Sequence, residues 1–216
     1  MHSIFKLGLT FWLVAFTTPS FAGAQQPEQL DPTVRAALQK ALSDSASLRL
    51  AFTDEEEAQH WIASMSERLQ KRIPDEHVRI EFLKTLHYEA TRAGLDPQLV
   101  LGLTQVESGF RKYAVSVASA RGYMQVMPFW LKELGRPGDN LFDMRTNLRF
   151  GCTILRHYLN IEKGNLFRAL GRYNGSLGRA EYPNLVVAAW RSHWSYKSPF
   201  KKKPTLGSSK QRDTAG

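Results

Sequence analysis

The feature that most constrains this chain is its punctuation. Apolar residues recur three or four positions apart, in stretches opened by Asp, Asn or Pro and closed by Gly or Pro. Asp31 and Pro32 read as N-cap and first helical residue, and Val34, Leu38 and Leu42 follow one turn apart. Thr53 with Glu56 reads as a capping box, with Trp61, Met65 and Leu69 on one stripe and Pro74 as the stop. Val78, Phe82, Leu83, Leu86 and Ala90 predict a third helix closed by Gly94. Asp96, Pro97 and Gly109 bracket a fourth. Three more helices are expected after Asn147, after Asn165 and around Pro183, the asparagines as N-caps. "SVASARGYMQVMP" has no helical start signal and contains Gly122, which predicts a loop or short strand. The expectation is a mainly α fold with at most a short β element. No internal repeat is visible.

The 216 residues suffice for one domain with attachments, and a 43% hydrophobic content supports a packed core. Residues 1–24 have the layout of a secretory leader: Lys6, a short apolar run, then small residues that allow cleavage after Ala22 or Ala24. The mature protein is therefore expected outside the cytoplasm, in the periplasm or cell envelope, and soluble. Cys152 is the single cysteine, so no internal disulfide is available, and its apolar neighbours suit a small buried hydrophobe. The net charge of +9 favours an anionic partner. Residues 196–216 read as a flexible basic tail, either a solvated charge run or a loose contact for anionic wall or membrane. Base-stacking aromatics interleaved with base-reading residues are not evident, so nucleic acid is not an expected partner.

Glu107 breaks an otherwise apolar pattern. Leu99, Leu103 and Glu107 are spaced by four and share one helix face, which predicts a carboxylate pointing where core side chains point. Burial and the negative end of the helix dipole both disfavour its charged form, and a glutamate tuned towards about 6–7 suits a general acid. Between Glu107 and Glu133 there is no Asp or Glu. A glycosidase of the usual kind needs two carboxylates. The first candidates for a second one are Asp139 and Asp143.

Four segments, in order, carry a resemblance. They are "AGLDPQLVLGLTQVESGF" with Glu107 and Ser108, "ASARGYMQVMP" with Gly122 to Gln125, "NLFDMRTNLRFGCTILRHYL" with Asn147 and Gly151, and "ALGRYNGS" with Tyr173 and Asn174. Together they resemble the catalytic domain of the soluble-lytic-transglycosylase type, related to goose-type lysozyme, over residues 80–195. Tyr123 stands where that family usually has Leu, and Arg172 where it usually has Ala. These departures bear on subsite shape.

The resemblance implies a lysozyme-like helical catalytic domain, preceded by N-terminal helices over residues 25–79. It implies non-hydrolytic cleavage of the β-1,4 bond between N-acetylmuramic acid and N-acetylglucosamine, leaving 1,6-anhydromuramoyl ends. Peptidoglycan glycan strands would be the partner, with no cofactor and no metal. The same frame also serves a hydrolytic muramidase, or a non-catalytic wall-binding or assembly module. Glu107 would be acid first and base second. Ser108 would either hydrogen-bond near the carboxylate or the N-acetyl group, or merely be a polar helix end. Gln125 and Asn174 would either hold sugar hydroxyls and acetamido groups or fix loops. Tyr173 would either face the reacting centre or sit in the core, and Met124 would be wall or core.

Overall fold

A computed structural model of the chain describes residues 25, 27, 29–43, 50–52 and 54–200. The leader expected at 1–24 and most of the basic tail lie outside these residues, as does Thr53. Among the described residues the regular elements are helical: α1 (Pro32–Leu42), α2 (Glu55–Leu69), α3 (Glu76–Arg92), α4 (Pro97–Ser108), α5 (Pro128–Leu134), α6 (Met144–Ile161), α7 (Leu166–Asn174) and α8 (Glu181–Ala189). A π-helical turn, Trp190–Trp194, continues α8. The expected short β element is present as two isolated antiparallel bridges, Val115 with Arg121 and Arg121 with Val126.

The caps explain most boundaries. Asp31, Asp54, Asp75, Asp96, Asp143 and Asn165 each accept a hydrogen bond from a backbone N–H in the first turn of the helix that follows. This satisfies donors that the helix itself leaves open. Two expectations change. The cap of α2 is Asp54, not Thr53. The third-to-last long helix begins at Met144, capped by Asp143, so Asn147 is not an N-cap but lies inside α6, where it is buried. An aspartate caps as well as an asparagine, and the earlier one won.

One hydrophobic cluster runs from Leu30 to Trp194. The N-terminal helices share it, through α1 on α5 and α6 and through α2 on α3. α4 lies inside, packed on α3, α8 and the π-helical turn. Seven of its residues besides Glu107 are buried, Leu99 to Thr104 and Ser108. A buried ionic hub fastens the frame around it. Glu89 of α3 is fully buried and pairs with Arg92 at 2.8 Å, Arg149 at 3.0 Å and Arg145 at 3.4 Å. Arg149 also donates to the Leu42 carbonyl at 3.1 Å, which ties α1 to α3 and α6. Ionic partners of this kind offset the cost of burying a charged carboxylate.

Candidate active site

Glu107 occupies the last turn of α4, where Gly109 takes a left-handed conformation (φ 59°) and ends the helix. The four-residue spacing from Leu99 and Leu103 carries it inward, and it is 5% exposed. Its Oε1 accepts a hydrogen bond from the Tyr182 hydroxyl. Tyr182 is buried in the first turn of α8, the helix packed on α4. Burial first, then the Glu107 charge, push the Tyr182 phenol well above its ordinary range, so it keeps the proton that it donates to Glu107. Burial and the Glu107 charge act the same way on Tyr173.

Beside this carboxylate lies the segment 121–126, held by three helices. From α4, Ser108 Oγ donates to the Tyr123 carbonyl at 2.6 Å and accepts from the Phe110 N–H at 3.1 Å. From α7, the Tyr173 hydroxyl donates to the Met124 carbonyl at 2.7 Å. From α6, Asn147 Oδ1 accepts from the Met124 N–H, and its Nδ2 donates to the Arg121 and Leu141 carbonyls, all at 2.8 Å. Each tether answers a backbone group that would otherwise be buried without a partner.

The side chains of the segment fit with little slack. Gly122 has φ +75°, and a Cβ there would meet the Leu141 carbonyl oxygen at 2.5 Å and Asn147 Nδ2 at 2.4 Å. Met124 is fully buried, and Gly151 of α6 makes room for it: a Cβ at Gly151 would lie 2.4 Å from the Met124 sulfur. Met124 is thus wall and core. Tyr123 packs its ring on Phe82, centroids 4.8 Å apart. Burial, with Glu81 and Tyr113 nearby, pushes its phenol up to about 12. Gln125, buried and at φ 49°, donates through Nε2 to the Gly122 carbonyl at 2.9 Å and the Ala114 carbonyl at 3.1 Å.

Of the residues singled out from sequence, Glu107, Ser108, Met124 and Tyr173 are joined by these bonds and by the Glu107 field at Tyr173. Gln125 belongs to the tethered segment itself. Asn174 is buried at the end of α7, next to Tyr173. Arg172 pairs with Glu162, as does Arg168. Asp139 and Asp143 are engaged elsewhere. Asp139 accepts from the Arg136 N–H at 2.8 Å, Asp143 caps α6, and both line a cavity of about 220 Å³ with Arg136, Arg145, Arg149 and Phe150. Two groups of the candidate site escaped sequence reasoning. Asn147 lay inside a quoted segment but was read as a cap. Tyr182 has no local signal beyond its place before Pro183, because its partner is set by the packing of α8 on α4.

A family profile described as Transglycosylase SLT domain matches residues 84–184. Among similar curated proteins is the membrane-bound lytic murein transglycosylase C of Mannheimia succiniciproducens, 37% identical over 91 residues, covering 37% of this chain and 26% of that protein. Another is the transglycosylase of Enterobacteria phage PRD1, 32% identical over 103 residues, covering 48% of this chain and 38% of its own length. A solved inactive mutant of the lytic transglycosylase Slt from Pseudomonas aeruginosa is 18% identical, with a TM-score of 0.40, over 76% of this chain and 41% of that one. The chain thus spans well under half the length of these relatives. The matched region runs from α3 to α8 and contains Glu107, the tethered segment and Tyr182, so residues 84–184 are similar to a Transglycosylase SLT domain.

Proposed function

We propose that this protein is an exported lytic transglycosylase of peptidoglycan, with Glu107 as its single catalytic acid and base. The observation that carries this reading is the buried, helix-end Glu107 held by a non-ionising phenol beside a thrice-tethered segment. Its relatives named as murein transglycosylases agree with the substrate class.

The chemistry follows from one carboxyl group. In its acid form Glu107 protonates the glycosidic oxygen between N-acetylmuramic acid and N-acetylglucosamine, and the C1–O bond breaks. The muramoyl N-acetyl oxygen attacks C1 from within and holds the developing positive charge. Glu107 is now a carboxylate, and takes the proton of the muramoyl C6 hydroxyl as the C6 oxygen bonds to C1 and the C1 bond to the acetamido oxygen breaks, restoring the N-acetyl group. The proton count balances, Glu107 is restored to its acid form, and the product ends in 1,6-anhydromuramic acid. The C6 hydroxyl competes well with water because it is already on the reacting sugar. Tyr182 fixes which oxygen of Glu107 faces the substrate by occupying Oε1. Asp139 and Asp143, engaged at other contacts, leave this one-acid route as the better supported one.

Within the same reading, Gln125 and Asn174 bind acetamido and hydroxyl groups, and Ser108, Tyr173 and Met124 shape the wall they stand in. The leader delivers the protein to the cell envelope, and the basic tail contacts anionic wall or membrane. The test is mass analysis of fragments released from purified peptidoglycan. Wild type should give anhydro ends, and Glu107→Gln should give none while remaining folded. Reducing muramic acid ends would replace the transglycosylase with a hydrolase. Peptidoglycan binding without any release would leave a binding module.

A further inference from the structure

Directly after α4 the chain displays an apolar strip that the fold does not use. Residues 111–117 alternate: Tyr113, Val115 and Val117 are 71%, 60% and 103% exposed. Ala114, between them, turns its carbonyl to the Gly122 N–H at 2.9 Å and to Gln125 Nε2. The strip is therefore the outer face of the wall whose inner face is the tethered segment. The bridge from Val115 to Arg121 closes this small loop on itself.

Tyr113 does not stand alone. Its ring lies 5.9 Å from that of Phe142, the residue just before the α6 cap. A cation rests over each ring, Lys112 Nζ at 5.3 Å from the Tyr113 centroid and the Arg121 guanidinium at 5.8 Å from that of Phe142. Arg111 adds a third positive charge at the same end. An exposed Tyr113 ring backed by the half-buried Phe142, with a cation over each, is a poor use of apolar surface unless something covers it.

We infer that Tyr113 and Phe142, with Lys112 and Arg121, form a second reading surface beside Glu107, on which one sugar ring of the glycan strand stacks while the two cations hold carboxylates of the attached stem peptides. The inference rests on the proposed activity at Glu107. The occupant is chosen by continuity and charge. A polymer cut at Glu107 must leave over a neighbouring wall, and this wall is joined to the tethered segment: Gln125 Nε2 donates to the Ala114 carbonyl, and the Asn147 amide bridges the Arg121 carbonyl to the Met124 N–H. The CH face of a pyranose suits an aromatic ring, and a stem peptide supplies the carboxylates that Lys112 and Arg121 match.

The test uses full-length protein with two substrates: peptidoglycan strands bearing stem peptides, and the same strands stripped by an amidase. Tyr113→Ala should raise KM on both by roughly five- to tenfold with kcat nearly unchanged. The double variant Lys112→Gln/Arg121→Gln should raise KM about three- to tenfold on peptide-bearing strands only. Both changes sit on exposed or half-exposed side chains, so equal melting temperatures confirm an intact fold. Wild-type kinetics from both variants on both substrates would overturn the inference, and equal losses on both substrates in the double variant would remove its carboxylate half. Sedimentation of the proteins with each kind of strand reads the surface without catalysis. If wild type cuts nothing yet prefers peptide-bearing strands through Lys112 and Arg121, the activity at Glu107 fails and this surface stands.

Discussion

Asn147→Asp is the most informative single change in the molecule, because it alters hydrogen-bond sense and almost nothing else. The side chains are isosteric, so no cavity opens. Oδ1 can still accept from the Met124 N–H. The atom replacing Nδ2 becomes an oxygen placed 2.8 Å from the Arg121 carbonyl and 2.8 Å from the Leu141 carbonyl. Two donors are lost and two carbonyls lose their partner in a site that is 1% exposed. At about 1–1.5 kcal/mol for each lost bond, the change should cost about 3 kcal/mol at pH 7. For a chain of this size that lowers the melting temperature by roughly 6–12 °C. The cost depends on pH with a definite sign. Burial among acceptors raises the folded-state pKa of the new carboxyl above its unfolded value of about 3.9. The protonated form regains one donor, so the penalty shrinks as pH falls and grows as it rises. Thermal and urea unfolding of both proteins at pH 7 and pH 4 measure this, and muropeptide release at pH 7 should fall with the displaced segment. A melting shift under about 2 °C at pH 7, or one of equal size at both pH values, would refute the tethering role of Asn147.

Two further outcomes follow from the same frame. Gly151→Ala puts a methyl 2.4 Å from the Met124 sulfur and 2.7 Å from its Cβ, so it should cost about 1–3 kcal/mol and slow lysis, with urea midpoints and release rates as the readout. His87 is buried between Phe52 and Trp61, and burial lowers its pKa to about 4. Its neutral form is favoured in the folded state, so the stability it contributes is present above about 6.5 and is lost as pH falls from 6.5 to about 4, reaching about 3 kcal/mol. The stability difference between wild type and His87→Leu should shift in favour of the variant across that window, and a constant difference from pH 7 to pH 4 would contradict it.

Glu107 was legible because burial on a helix is written in local spacing: Leu99 and Leu103 already fix the face. The caps were legible in kind but not always in position. Thr53, Asp54, Asp143 and Asn147 are all competent caps, and only packing decides which backbone N–H each one meets. α5 escaped because seven residues are too few for a period to show. Pro128 starts it, and its Trp130 is anchored from far away by Gln25, whose amide oxygen accepts from the indole N–H at 2.9 Å. The same reason hides Tyr182, 75 positions from Glu107: its contact exists only once α8 lies on α4. Sequence reasoning finds what one helix turn can encode and loses what two packed helices create.

That division also explains the roles inside the site. Ser108, Tyr173 and Asn147 spend polar atoms on the main chain of residues 121–124. Gln125 follows immediately, at φ 49°, a left-handed conformation that costs a non-glycine residue about 1 kcal/mol or more. A residue persists there only when its surroundings over-determine it. Three tethers upstream, the Arg121–Val126 bridge and its own bonds to Gly122 and Ala114 do so. Gln125 is thereby presented rigidly, at a fixed distance from the end of α4. On the proposed reading, a single carboxyl group that first gives and then takes a proton needs its substrate held through both steps. The fold spends polar side chains there on rigidity, which on the proposed reading leaves Glu107 to carry the proton transfer.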